Sequence, residues 1–450
     1  MHAWFPAPER NRQAIIVDDC LCGLGVDHVD RRERPGRVHD LGIPRPSAVI
    51  PGFEQHPLPE EPQVKLGIEG HACEPATLGA MDSQATVIEA LGVAIAARVP
   101  VLLWGAPGTG KTSVIRAMAA EAGWPCETVI ASIREPSDFA GLPIVRHASG
   151  PEDRTRVEFA PPAWAASLAS AGHGVVFFDE VSTAPPAVQA ALLRVVLERT
   201  VGDLALPDDV SVVAAANPPE QAADGWDLSP PLANRFCHLD WAVQARTVAD
   251  GFASSWPTPR PPLLPDGWQA RVPVMRSWLA AFFTVRPALV VAVPEDAAGS
   301  GRAWPSPRTW DMAGRLQAAA EAAEATELAA SMLIRGCVGA GPGAEYLTWL
   351  AEADLPDPEA VLADPDGFVL PERGDRAYAA LSSVAAVVAA NPGDGRWARG
   401  WQVFARAAGS APDVAAAAAR TLARCRPPGA PIPAEVQVFA PLLREAGLLG

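Results

Sequence analysis

Lysine is nearly absent from this 450-residue sequence: of its 36 basic residues only Lys65 and Lys111 are lysines, the rest being arginine. Positive charge of either kind is scarce, with a formal net charge of -16 and a pI near 5.0. That balance argues against a general nucleic-acid binder, because neutralising a phosphate backbone takes clustered Lys and Arg. Long apolar runs are missing too. None approaches the ~18 consecutive residues of a spanning helix, and the N-terminus lacks the basic-then-apolar pattern of an export signal. The seven cysteines are odd in number and follow no repeated spacing, so no disulfide framework is implied. These absences point to the reducing cytoplasm. A hydrophobic content of 49% over this length is enough for two or three packed domains.

What is present begins at Met81. Residues 1–80 mix Pro, Gly, His and charges with no sustained period and read as an irregular or disordered leader, consistent with a misassigned start codon. Its Cys20, Cys22, His28 and His39 do not read as a metal site, since C-x-C is not a zinc-knuckle spacing and no second shell surrounds it. After Met81, Val87, Leu91 and Ile95 recur at helical spacing up to Pro100. A strand at 101–104, a helix from Lys111 to about Ala122 and a strand near 127–131 follow. Beyond an irregular insert come a strand at 174–178, a helix at 186–199, and strands at 210–216 and 237–241. Strands alternating with helices imply a parallel sheet. The proline-rich stretch 254–268, with Pro257, Pro259, Pro261, Pro262 and Pro265, reads as a stiff connection. Past it the pattern is helical, as in Tyr378, Leu381, Val384, Val388 and then Trp397, Trp401, Phe404, while the alanine-rich stretches near 317–331 and 411–424 read as packed helices.

Lys111 falls inside Gly105-Ala106-Pro107-Gly108-Thr109-Gly110-Lys111-Thr112, which satisfies G-x-x-x-x-G-K-[ST] between an apolar strand and a helix. Glycines let backbone N–H groups turn inward around phosphate oxygens, and the helix N-terminus adds partial positive charge. Lys111 is then placed to neutralise β and γ oxygens, where the planar arginine head would fit poorly, and Thr112 to ligate Mg²⁺. A plain helix-capping glycine turn would leave the next motif unexplained. Asp179 and Glu180 end a buried strand, the edge of a parallel sheet where ligands bind. Adjacent acids can divide labour, with Asp179 holding the Mg²⁺ shell and Glu180 orienting and deprotonating water. Asn217 ends the next strand in Ala214-Ala215-Ala216-Asn217-Pro218, where an amide can hold the attacking water or the γ-phosphate.

In this order the motifs resemble the AAA+ superfamily, and within it the MoxR-like branch of the helix-2-insert clade, over about residues 81–340. Asp138-Phe139-Ala140-Gly141, Glu198-Arg199-Thr200-Val201, Leu232-Ala233-Asn234-Arg235-Phe236 and Ser306-Pro307-Arg308 carry the likeness further. The resemblance implies that Asn217 is sensor 1, Arg235 a finger reaching a neighbouring subunit's γ-phosphate, and Arg308 sensor 2 on a lid. A planar, always-charged guanidinium suits both arginine roles, and Arg194 and Arg199 are lesser candidates.

The expected fold is α/β: a P-loop AAA+ parallel-sheet core over 81–243, a linker and helical lid over 244–345, and a helical extension over 346–450. The likeness implies an ATP hydrolase using ATP and Mg²⁺, assembled as a homo-oligomer, a hexameric ring, that remodels or matures a partner protein. That partner is by analogy one with a von Willebrand factor A domain. The alternatives are a magnesium-chelatase-type motor subunit, a nucleic-acid-linked motor, which the -16 charge opposes, and a nucleotide-gated scaffold, which an intact Glu180 and Arg235 oppose.

Overall fold

Short runs of unbroken apolar residues become strands covered on both faces. The chain forms α1 (Gln84–Ala96), β1 (Val101–Trp104), α2 (Lys111–Glu121) and β2 (Cys126–Ile130). Next come α3 (Ser137–Ala140), β3 (Leu142–Arg146), β4 (Arg156–Ala160), α4 (Ala163–Ala171), β5 (His173–Asp179) and α5 (Pro186–Glu198). The short strands β6 (Thr200–Val201) and β7 (Leu204–Ala205) lead to β8 (Asp209–Ala216), α6 (Pro230–Ala233) and β9 (Cys237–Asp240). The remainder is helical: α7 (Ala245–Ala253), α8 (Val272–Val285), α9 (Ala297–Ser300), α10 (Pro307–Ala322), α11 (Glu327–Val338), α12 (Ala340–Ala353), α13 (Pro358–Ala363), α14 (Gly374–Ala390), α15 (Arg396–Ala408), α16 (Pro412–Arg424) and α17 (Ala440–Glu445). This computed structural model describes residues 84–147, 155–218, 227–256, 258–393 and 395–448, all within the unit Pro75–Gly450. The readings of the leader, of Cys20, Cys22, His28 and His39 and of Met81 lie outside the described residues.

Five strands form one sheet in the order β2-β5-β8-β1-β9, every pairing parallel. Alternation sorts its side chains into two layers. Val101, Leu103, Val175, Phe177, Val213 and Leu239 face α1 and the C-terminal helices, whereas Leu102, Trp104, Val176, Phe178, Val212 and Ala214 face the side covered by α5. Burial on both faces explains why these strands read as apolar runs rather than as alternating ones. The fold is thus the expected α/β P-loop AAA+ architecture with a helical C-terminal region.

The first layer continues without a break from Val87 in α1 through Trp310, Tyr346 and Leu381 to Leu443. Phe282 meets Trp310, Tyr346 and Trp349 edge to face or tilted, Tyr346 stacks with Trp349, and the buried Tyr346 hydroxyl donates to Gln317 at 2.9 Å. Trp349 in α12 donates to Asp375 in α14 at 2.9 Å, and the proline-rich stretch lies on the sheet unit, with Pro262 against Gly92 and Arg260 paired to Glu121 at 2.6 Å. Among the described residues no helix is long and apolar enough to cross a membrane.

Two hairpins correct the sequence reading. The insert expected to be irregular holds the antiparallel pair β3–β4, and β6–β7 forms a second. β3 is exposed along its length, with Leu142 61% and Val145 53% accessible, and Val157 on β4 is 54% accessible. No buried face means no alternation to read.

Candidate active site

Three adjacent strands deliver the site at their carboxyl ends. β1 runs into Gly105, β5 ends on Asp179, and β8 is followed by Asn217. β1 lies between β8 and β9 while the chain from β1 crosses to β2 at the far edge, so this is a switch point where a crevice opens. Gly105 donates its N–H to the Ala216 carbonyl at 3.1 Å, and a Cβ there would come within 2.6 Å of the Trp241 carbonyl. Only glycine lets the loop leave the strand so close to β9. Gly110 caps α2 with φ 86°, a left-handed conformation that disfavours larger residues, and offers no side-chain cap. The first N–H groups of α2 are therefore left for an outside acceptor.

Lys111 folds back over this loop. Its Nζ donates to the Gly105 and Ala106 carbonyls at 2.7 and 2.9 Å and to Asn217 Oδ1 at 3.2 Å. Burial pushes its ammonium below the usual lysine value, against the pull of the Asp179 and Glu180 carboxylates. Thr112 donates to Asp179 Oδ2 at 2.8 Å, and Asp179 Oδ1 accepts the Glu180 N–H at 2.9 Å. Glu180 has φ 57°, a left-handed backbone that costs on the order of 1 kcal/mol or more for a non-glycine residue and clusters at functional sites. Its exposed carboxylate accepts a hydrogen bond from Ser132, just past β2. Asn217 is braced by Ser182, whose hydroxyl bonds both its N–H and its carbonyl at 3.2 Å. Lys111, Thr112, Asp179, Glu180 and Asn217 thus converge in one crevice.

The donor set fits a hard divalent cation. Mg²⁺ takes oxygen ligands, commonly one or two from protein with the rest from water and phosphate, and the Thr112 hydroxyl and Asp179 carboxylate are already together.

Arg235 and Arg308 belong to a second cluster, beyond the hydrogen-bonded set around Lys111. α6 presents Asn234, which is 3% exposed; its Nδ2 donates to the Trp304 carbonyl at 3.2 Å, and its Oδ1 accepts from Ser306 at 2.8 Å. Ser306 also closes the capping box that starts α10, with Pro307 in the first turn and Arg308 exposed beside it. The Asn234–Ser306 bond thereby brings the two arginines near each other. Arg235 donates to the Pro231 carbonyl; its guanidinium is held below the usual arginine value by burial and then by the charge of Arg308. The lesser candidates have structural partners: Arg194 pairs with Glu198 at 2.9 Å, and Arg199 donates to the Pro207 and Val210 carbonyls at 2.6 Å.

Sequence reading missed Ser132, Ser182, Asn234 and the group behind the phosphate loop. There Trp241 donates to the Thr109 carbonyl at 3.0 Å, Trp104 donates to His238 Nδ1 at 2.9 Å, and Arg302 lies 4.1 Å over the Trp104 ring. Each joins residues far apart in the chain and carries no local spacing to find. Asn234 alone had a signal, its place inside the motif that supplied Arg235.

Residues 100–236 match the AAA domain of the dynein-related subfamily. Protein MoxR of Methylorubrum extorquens is 37% identical over 123 residues, covering 27% of this chain and 34% of that protein. Protein MoxR of Paracoccus denitrificans is 35% identical over 130 residues, covering 28% and 35%. The chain therefore spans about a third of the length of the curated relatives it matches. Among solved structures, a Cytophaga hutchinsonii protein named as a candidate ATPase overlaps 57% of this chain and 81% of its own at 18% identity and TM-score 0.36. A full-length MCM homolog from Methanopyrus kandleri overlaps 61% and 56% at 18% identity and TM-score 0.32.

Proposed function

We propose that this chain, a MoxR-like AAA+ protein whose AAA domain spans residues 100–236, hydrolyses ATP with Mg²⁺ and uses the cycle to remodel a partner protein. The observation that carries the reading is the crevice in which Lys111, Thr112, Asp179, Glu180 and Asn217 meet at the carboxyl ends of three parallel strands. The N–H groups of the loop and of the first turn of α2 cradle the phosphates, and Lys111 exchanges its carbonyl partners for phosphate oxygens. Thr112 and Asp179 would hold Mg²⁺, which when bound neutralises charge developing on the phosphates. Glu180, on release from Ser132, takes the proton of the attacking water, and Asn217 orients that water or the γ-phosphate.

Arg235 completes the neighbouring subunit's site and Arg308 serves as sensor 2 on the lid, so activity requires an oligomer, which we take to be a hexameric ring in the cytoplasm. In this reading 81–243 is the core, 244–345 linker and lid, and 346–450 an extension. The exposed apolar hairpin β3–β4 is the part that meets the client, which by family analogy carries a von Willebrand factor A domain. Steady-state phosphate release from the purified full chain, with and without a magnesium chelator, tests the chemistry. ATP-dependent, chelator-sensitive turnover is expected; a chain that binds ATP in the presence of Mg²⁺ without turning it over would leave the scaffold alternative standing.

A further inference from the structure

β9 carries a histidine that the proposed chemistry does not use. His238 is 8% exposed and lies on the sheet face shared with Trp104, Ala233 and Phe236. Both ring nitrogens are committed. Indole Nε1–H can only donate, so the 2.9 Å contact from Trp104 makes His238 Nδ1 the acceptor and leaves the proton on Nε2. Nε2–H then donates to the Ala233 carbonyl at 2.9 Å. The two ring planes are nearly parallel, 15° apart, with centroids 6.2 Å apart.

Each end of this link leads to one of the two clusters. Trp104 is the last residue before Gly105; its carbonyl accepts the Trp241 N–H at 2.6 Å, and Trp241 in turn holds the Thr109 carbonyl of the phosphate loop. Arg302 lies over the Trp104 ring while pairing with Asp240 at 2.9 Å. Ala233 closes α6, and its carbonyl also accepts the Phe236 N–H at 3.2 Å across the turn that presents Arg235. A movement of the phosphate loop that shifts Trp104 has a hydrogen-bonded route of two links to the Arg235 turn.

We propose that His238 is a positioning residue that couples the state of its own subunit's phosphate loop to the placement of Arg235, and hence to hydrolysis at the neighbouring site. This rests on the ATPase reading and on Arg235 acting across the subunit boundary. Burial in an apolar layer pushes the imidazole pKa down to about 4, so the ring is neutral and the link intact near pH 7.

The test is a double-mutant cycle of His238→Phe and Arg235→Ala, read as kcat at saturating ATP beside the Kd for ADP. His238→Phe is expected to lower kcat about tenfold with Kd within about twofold, and to add nothing in the Arg235→Ala background. His238→Gln, which keeps a donor and an acceptor, should recover most of the loss. Hydrogen exchange at 230–236 is the second measurement and needs no turnover: nucleotide should slow it in wild type and His238→Gln, and not in His238→Phe. Equal fold losses in both backgrounds, or nucleotide protection at 230–236 that survives in His238→Phe, would overturn the coupling. Wild-type protection without wild-type turnover would sink the ATPase reading and leave the link itself standing.

Discussion

At the carboxyl ends of β1, β5 and β8, Lys111 has Asn217 and two loop carbonyls, Asp179 has Thr112 and a backbone N–H, and Glu180 has Ser132. One chain supplies all of those partners. At the Asn234–Ser306 joint, two guanidinium groups lie near each other instead, and no carboxylate among the described residues pairs with either. Arg235 Nε is buried without a partner, and the charge of Arg308 adds to its cost. The contrast is between groups that already have partners and groups that lack them. The residues of the crevice hold one another in place, whereas neighbouring cations with an orphaned donor gain from an anion, which in the proposed function is a phosphate held in the next subunit.

The sharpest way to break this comparison is to remove the incomplete half. Arg235→Ala is expected to lower ATP turnover by roughly 10³ to 10⁵ with little change in nucleotide affinity. Mixing it with Lys111→Ala subunits should restore part of the activity, because some interfaces then join an intact loop to an intact arginine. Turnover per mixed oligomer, with size checked by light scattering, decides it; normal assembly with wild-type rate in Arg235→Ala would end the trans reading.

Within the complete half, Glu180→Gln should keep ATP binding and lose turnover by about 10² or more, the scale for a general base. Asp179→Asn should in addition raise the Mg²⁺ concentration needed. Near wild-type phosphate release in Glu180→Gln would remove Glu180 from the role of base.

The smallest expected effect concerns the link between the halves. His238 is held down to about 4 in the fold, against an ordinary value near 6.5, so the unfolded chain binds the extra proton between those limits. Its contribution is fully present above pH 6.5 and is lost as pH falls toward 4, on the order of 2 kcal/mol between pH 7 and pH 5. Urea midpoints at the two pH values should show a smaller acid loss in His238→Gln than in wild type. An identical loss would mean that other groups govern acid stability.

Local sequence determined whatever depends on a few consecutive residues. The glycine loop, the acids ending β5 and the amide after β8 were legible because backbone freedom, helix-start geometry and strand ends are short-range properties. The parallel sheet was legible because burial on both faces leaves unbroken apolar runs. The hairpins β3–β4 and β6–β7 were not, since exposed or very short strands carry no period. Nor were the partners that aim the site. Ser132 on Glu180, Trp241 on Thr109, His238 between Trp104 and Ala233, and Ser306 on Asn234 are contacts between distant positions. Only the tertiary fold, by bringing β9 beside β1 and the start of α10 onto α6, decided which hydroxyl, ring or amide each would meet.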